Sequence, residues 1–358
     1  MARHICAPCQ GQLKTPIPIN VPLVSAMFNA PGRGGHVTQA VGVLLLAPIC
    51  AEYLAAYADS TGDPGELLLG LLIFSPLYGA PALLIREVAR RSELGWVGMI
   101  LMAAAFGVLQ AGVVDQSLFS TNYLGIESWD ATRRPTLIEP LGISAYMAQL
   151  FIAGHVIYSI CAPIALIEAF RPLQRHEPWL SNYWLIVVAA SYVAVSALVL
   201  VEHLMTESSH ASILQALISL IIVCALMAGA FRFGRPRQQA GTHRSTVTPA
   251  VVFVVSAIAA SAVTAAPATW LGVGFALTVL ALTAIGLMFA ARSPGWGPRH
   301  HVAMAAGALV SRGVLAFTYF PVMGEVAAMP KYVHNGVLLV VVVIVSGLAA
   351  SRAGMVEG

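Results

Sequence analysis

From Val37 onward, long apolar runs alternate with short polar or charged breaks. The runs lie near 37–58, 66–90, 95–115, 144–170, 183–205, 212–233, 249–266, 268–292, 302–323 and 334–353. Each is roughly 18–26 residues long, enough at about 1.5 Å per residue for a helix to cross about 30 Å of hydrocarbon. The pattern predicts an all-α protein, a polytopic transmembrane helical bundle of about ten helices. The seventh and eighth runs have almost nothing between them around Ala266 and Pro267. A re-entrant hairpin is the alternative there, and it leaves the rest of the topology intact. Composition agrees with the pattern. The chain is 58% hydrophobic and 10% charged, and its mean hydropathy of +0.80 exceeds what a soluble globular protein presents to water.

Charge sets the expected orientation. Apart from Lys14 and Lys331, every basic residue is an arginine. The connections after the second, fourth, sixth and eighth runs carry Arg86, Arg90 and Arg91; Arg171 and Arg175; Arg232, Arg235, Arg237 and Arg244; and Arg292 and Arg299. The alternate connections hold only Arg133, Arg134 and Lys331. By the positive-inside rule both termini are cytoplasmic, and loops 59–65, 116–143, 206–211, 267 and 324–333 face outward. The net charge of +3 contains no basic tract, so the expected surroundings are the lipid bilayer and not nucleic acid.

Residues 1–36 contain Pro8, Pro16, Pro18, Pro22 and Pro31 and lack the uninterrupted apolar stretch of a signal peptide. They read as a cytoplasmic N-terminal arm. Within it His4, Cys6 and Cys9 form H-x-C-x-x-C, half of a metal or redox site with no second pair nearby, so no metal site is predicted. The chain has five cysteines, an odd number that implies no disulfide framework. Residues 37–205 read as a polar-site bundle with the long outer loop 116–143. Residues 206–358 read as an accessory scaffold, because their spans offer mainly Arg312 and small residues that let helices approach closely. An inverted five-plus-five repeat is not supported by this distribution.

Polar residues inside the apolar runs are the candidate chemistry, since a charge at bilayer depth costs several kcal/mol and normally faces a protein interior or a wet cavity. Glu52 lies roughly 22 Å along the first span, and Gln110, Asp115 and Gln149 fall in the outer half of theirs. His155 lies about 16 Å below the outer end of the fourth span, with Ser159 one turn deeper on the same face. A cavity open to the outside, floored near His155 and covered by loop 116–143, would collect them. Pro48, Pro76, Pro81 and Pro163 each remove a backbone donor and leave room for kinks. Glu52, His155 and Gln110 are the candidate catalytic residues; Asp115, Gln149, Trp129 and Ser159 are candidate substrate contacts. Arg312 is the candidate partner of a structural ion pair with Glu52. Arg86, Glu87, Arg90, Arg91 and Glu168 read as snorkelling anchors and local ion pairs.

At REVARRSELGWVGMILMAAAFGVLQAG the chain resembles the CPBP family of intramembrane proteases, also called the CAAX-protease and bacteriocin-processing or Abi family. That family carries E-E-x-x-x-R, F-x-x-x-H and H-x-x-x-N in order, with a Glu and a His activating water. Here Glu87-x-x-x-Arg91, Phe106-x-x-x-Gln110 and His155-x-x-x-Ser159 take that order. Arg86 stands where the first Glu would be, Gln110 replaces a His, and Ser159 replaces an Asn. More loosely, the chain is similar to uncharacterised actinobacterial multi-pass proteins, which implies a bacterial cytoplasmic (inner) membrane.

The expected function is hydrolase-like chemistry on a membrane-embedded or small-molecule substrate. Glu52 would act as general base, His155 would polarise or protonate, and Gln110 would position water. A proton- or cation-coupled transporter or channel is the alternative, and a non-catalytic scaffold subunit a third. No cofactor is indicated by the sequence.

Overall fold

The computed structural model describes residues 36–236, 247–293 and 295–357. The His4, Cys6 and Cys9 motif, Arg237 and Arg244 lie outside them. The helices are α1 Val37–Ala55, α2 Pro64–Arg91, α3 Trp96–Val114, α4 Ala145–Ala169, α5 Asn182–Thr206, α6 Ile213–Phe233, α7 Pro249–Thr264, α8 Trp270–Ala290, α9 Pro298–Thr318 and α10 Ala328–Met355. Among the described residues nine of these are long and apolar enough to cross a membrane, α7 being shorter. Its 16 residues reach only about 24 Å, because Pro267 cannot extend the helix. The polytopic helical bundle expected from the apolar pattern is what the chain forms. The seventh span is the shortened one.

Cross-helix contacts set the directions. At one end Arg312 of α9 reaches Ala51 of α1, Asn335 of α10 reaches Ala316, and Tyr123 lies beside His203 of α5. At the other end Arg86 of α2 meets Glu168 of α4, and Gly95 before α3 bonds Gly234 after α6. Helices therefore run alternately up and down. The short α7 follows the same rule and runs parallel to α9: Val247 pairs with His300, Ser256 with Met304 and Ser261 with Ser311. The last of these pairings, Ser261 with Ser311, leaves α7 short of the end of α9 at Thr318.

Burial divides the bundle into a core and a shell. Val43, Ala47, Cys50, Leu83, Ile160, Ile164, Leu166 and Leu309 are fully enclosed where α1, α2, α4 and α9 meet. Helices α5, α6 and α8 bury little of their length and turn Val193, Ile221 and Leu282 outward, which suits lipid contact. Close packing inside depends on small residues. A Cβ on Gly79 would stand 2.3 Å from the Leu44 carbonyl oxygen, so α2 can lie against α1 at that level only with glycine there.

Three helices depart from α geometry. Ser75–Gly79 in α2, Gln110–Val114 in α3 and His155–Cys161 in α4 are π-helical. In each the chain closes i to i−5 bonds, from Ala80 to Ser75, Asp115 to Gln110 and Ala162 to Ile157. Pro81 and Pro163 follow two of them, and their missing N–H groups favour the shifted register. Loop 116–143 is itself ordered, with a short helix Trp129–Arg133 and a two-stranded antiparallel hairpin pairing Leu137–Ile138 with Ile143–Ser144. That hairpin is a small exception to the all-α expectation.

Candidate functional site

The three π turns deliver side chains to one polar cluster beneath loop 116–143. Helix α1 ends one turn after Glu52 because Ala56 adopts a left-handed conformation, φ 50°, which costs about 1–2 kcal/mol for a residue with a Cβ. That turn sends Tyr57 back, and its hydroxyl donates to the Glu52 carboxylate. Tyr78, in the α2 π turn, also interacts with Glu52 and with Asp115. Gln110 starts the α3 π turn, and its amide donates to Asp115 at 3.2 Å. The other Asp115 oxygen accepts from the Ser117 backbone at 2.9 Å. Burial pushes the Asp115 carboxyl up to about 6, against those hydrogen bonds, with Glu52 a smaller influence in the same direction.

His155 opens the α4 π turn. Its ring is stacked on Tyr78, centroids 5.9 Å apart, and edge-on to Phe106 at 5.3 Å. Its Nδ1 lies 3.2 Å from the Ser159 hydroxyl. Tyr78, and not a direct contact, joins His155 to Glu52. Tyr123 of loop 116–143 is in the field of both Asp115 and Glu52. The loop carrying it is held down by Trp129, whose indole N–H donates to the Ser120 carbonyl at 2.9 Å and whose ring stacks on Phe151.

The expected Glu52–Arg312 pair is not formed. Among the described residues the ion pairs within 4.0 Å do not include Glu52 or Arg312. Arg312 donates from one Nη to the Ala51 carbonyl at 3.1 Å and lies 4.3 Å over the Tyr158 ring. Its Nε is buried without a partner, as are the Gln110 carbonyl oxygen and both amide atoms of Gln149. The structure thus brings Glu52, Gln110 and Asp115 together, with His155 and Ser159 one tyrosine away. It places Trp129 in the packing of the loop, and no hydrogen bond among the described residues links Gln149 to the cluster. Composition does not reveal Tyr57, Tyr78, Tyr123 and Tyr158. The one signal for them is their spacing from Glu52, Pro76, Asp115 and His155.

The opposite end is built differently. Arg90 grips Glu168 with two bonds, 2.8 and 2.5 Å, and Arg86 adds a third at 3.1 Å. Glu87 accepts from Arg86 at 2.8 Å, from Arg91 at 3.3 Å, and from the backbone of Trp179 and Leu180 at 2.8 and 3.2 Å. These five side chains are buried and pin the α4–α5 connection, with Arg86 3.6 Å over the Trp179 ring. They do not snorkel to water as expected, because that connection folds back over them. A separate cleft of about 160 Å³, lined by Pro81, Met102, Phe106, Tyr192 and Met227 among others, is apolar. Among the described residues no three His, Cys, Asp or Glu side chains are grouped to hold a metal ion.

A family model described as an uncharacterized membrane protein family matches residues 42–357. The chain belongs to that family. It is therefore a multi-pass integral membrane protein, embedded in a lipid bilayer. No curated protein and no solved structure matches it. The match adds nothing to the CPBP resemblance, and Glu87 and Arg91 stand at the far end of the bundle from Gln110 and His155.

Proposed function

We propose that the protein is a proton-coupled membrane carrier whose proton-handling site is the carboxylate pair of Glu52 and Asp115. One observation carries this reading: both carboxylates, each half-buried, face the same polar cluster, and their neighbours are hydroxyl and amide donors instead of a contacting cation. Two like charges in a low-dielectric interior resist simultaneous ionisation, so such a pair shares or exchanges a proton. Tyr78 from α2, Tyr123 from the loop and Tyr192 from α5 are the other titratable groups that sense Asp115. The π turns of α2, α3 and α4 leave backbone at this level able to re-register, which suits a carrier that must open and close. A hydrolytic site would need Glu52 and His155 to act on one water, whereas Tyr78 stands in contact with both.

The test is reconstitution of the full chain in liposomes carrying a pH-sensitive dye, with small solutes added outside. Solute-driven internal acidification that is lost in Glu52→Gln and Asp115→Asn supports the carrier. Cleavage of membrane-embedded peptides or esters that depends on Glu52, without proton movement, would return the hydrolase reading.

A further inference from the structure

Arg312 departs from every other deeply placed arginine. Arg86, Arg90 and Arg91 each hold a carboxylate. Arg312 has one backbone carbonyl and the face of Tyr158, and its Nε is enclosed with no acceptor. A guanidinium at membrane depth without an anion costs several kcal/mol, and an orphaned buried donor calls for a partner. The planar fork is shaped for two parallel bonds to a carboxylate or phosphate. Cys50, Tyr57, His155 and Tyr319 all lie in the field of this cation, and the Tyr319 hydroxyl is tied up on the Ala55 carbonyl. A thiol, two phenols and an imidazole thus sense the guanidinium, and none of the described side chains neutralises it by direct contact.

Building on the carrier reading above, we propose that Arg312 seats the anionic group of the solute that moves with the proton, a small carboxylate or phosphate. Glu52 directly follows the residue whose carbonyl Arg312 holds, and Tyr57 senses both charges. An ionised Glu52 opposes an incoming anion, and a protonated one does not. Proton and anion therefore bind cooperatively, and by linkage each strengthens the other equally.

The experiment is thermal unfolding of the full-length protein in phosphatidylcholine nanodiscs, titrated with acetate or with inorganic phosphate at a single pH of about 7. Saturable stabilisation by one of these anions is expected. Arg312→Gln should weaken it at least about tenfold, and Glu52→Gln, which removes the opposing charge, should tighten it by about tenfold. If Arg312→Gln does not fold, Arg312→Lys, which keeps the charge and loses the fork, serves with Glu52→Gln as the readout. Absence of saturable stabilisation by either anion overturns the seat, as does stabilisation that ignores both substitutions. Stabilisation by phosphatidylglycerol nanodiscs alone, dependent on Arg312 and indifferent to the free anions, also overturns it by making the occupant a lipid headgroup. Solute-driven proton movement dependent on Glu52 would survive each of these failures. Its loss with anion binding intact would instead remove the carrier reading.

Discussion

The two polar ends of this bundle use similar residues to opposite effect. At the Arg86 end, three arginines and two glutamates, all buried, are multiply bonded to one another and to the backbone of the α4–α5 connection. At the Glu52 end, two carboxylates and one arginine lie in a single cluster without a direct ion pair, and donors and acceptors remain unused. A saturated network locks geometry, because moving any member strands the others in low dielectric. An unsaturated one leaves capacity for a proton or ligand. Polarity at depth is thus not by itself a sign of function; unspent hydrogen-bonding capacity is the better sign.

The sharpest way to break this contrast is to remove one charge from each end. Glu168→Gln strands Arg86 and Arg90, which share that carboxylate, and should cost about 3–5 kcal/mol. Glu52→Gln keeps the side-chain shape and an acceptor for Tyr57, and should cost about 1 kcal/mol or less. Thermal unfolding of both variants in one detergent compares them directly. Similar shifts would mean that the Glu52 cluster is as structural as its counterpart.

Much of the architecture is legible in the sequence because hydrocarbon demands helices of a minimum length, and nearly every apolar run became one. Glu52, Gln110 and Asp115 can be placed at a common level by counting residues, since rise per residue is fixed. Four features resist that arithmetic. The π turns depend on one extra residue per turn, a register that tertiary packing decides; Pro81 and Pro163 hint at two of them, and nothing similar precedes Asp115. The direction of Arg312 is a choice between acceptors, Ala51 backbone or Glu52 carboxylate, that charge alone would have settled the other way. Burial of the Arg86 network depends on Trp179 and Leu180 folding back across it, and periodicity is silent about such a connection. Tyrosines are ordinary in membrane spans, so Tyr78 carries no mark of its place between Glu52 and His155.

A subtler test of the contrast is pH. Asp115 stands just beyond the end of α3, and its folded value of about 6 lies above the ordinary 3.8. Between those two values the folded state holds a proton that the unfolded chain has released, so stability falls as pH rises through that window. The contribution is fully present below pH 3.8 and gone above about 6, and amounts to at most about 3 kcal/mol. Asp115→Asn should remove this part of the pH dependence of the melting temperature and flatten the curve between roughly pH 4 and 6. An unchanged slope would mean that Asp115, half-buried beside the start of loop 116–143, is solvated and that the cluster is open to water.

The smallest effect concerns Tyr57, whose hydroxyl is the direct donor to Glu52. Tyr57→Phe keeps the ring that packs after the left-handed Ala56 and deletes one hydrogen bond, worth about 1 kcal/mol to stability. Its consequence for chemistry should exceed its consequence for folding. Without that donor the Glu52 carboxylate loses a direct hydrogen bond. In the liposome assay the rate of Glu52-dependent proton movement should then fall severalfold, with the melting temperature lowered by only a few degrees. A stability loss comparable to that of Glu168→Gln, with proton movement unchanged, would instead class Tyr57 with the bonded end of the bundle.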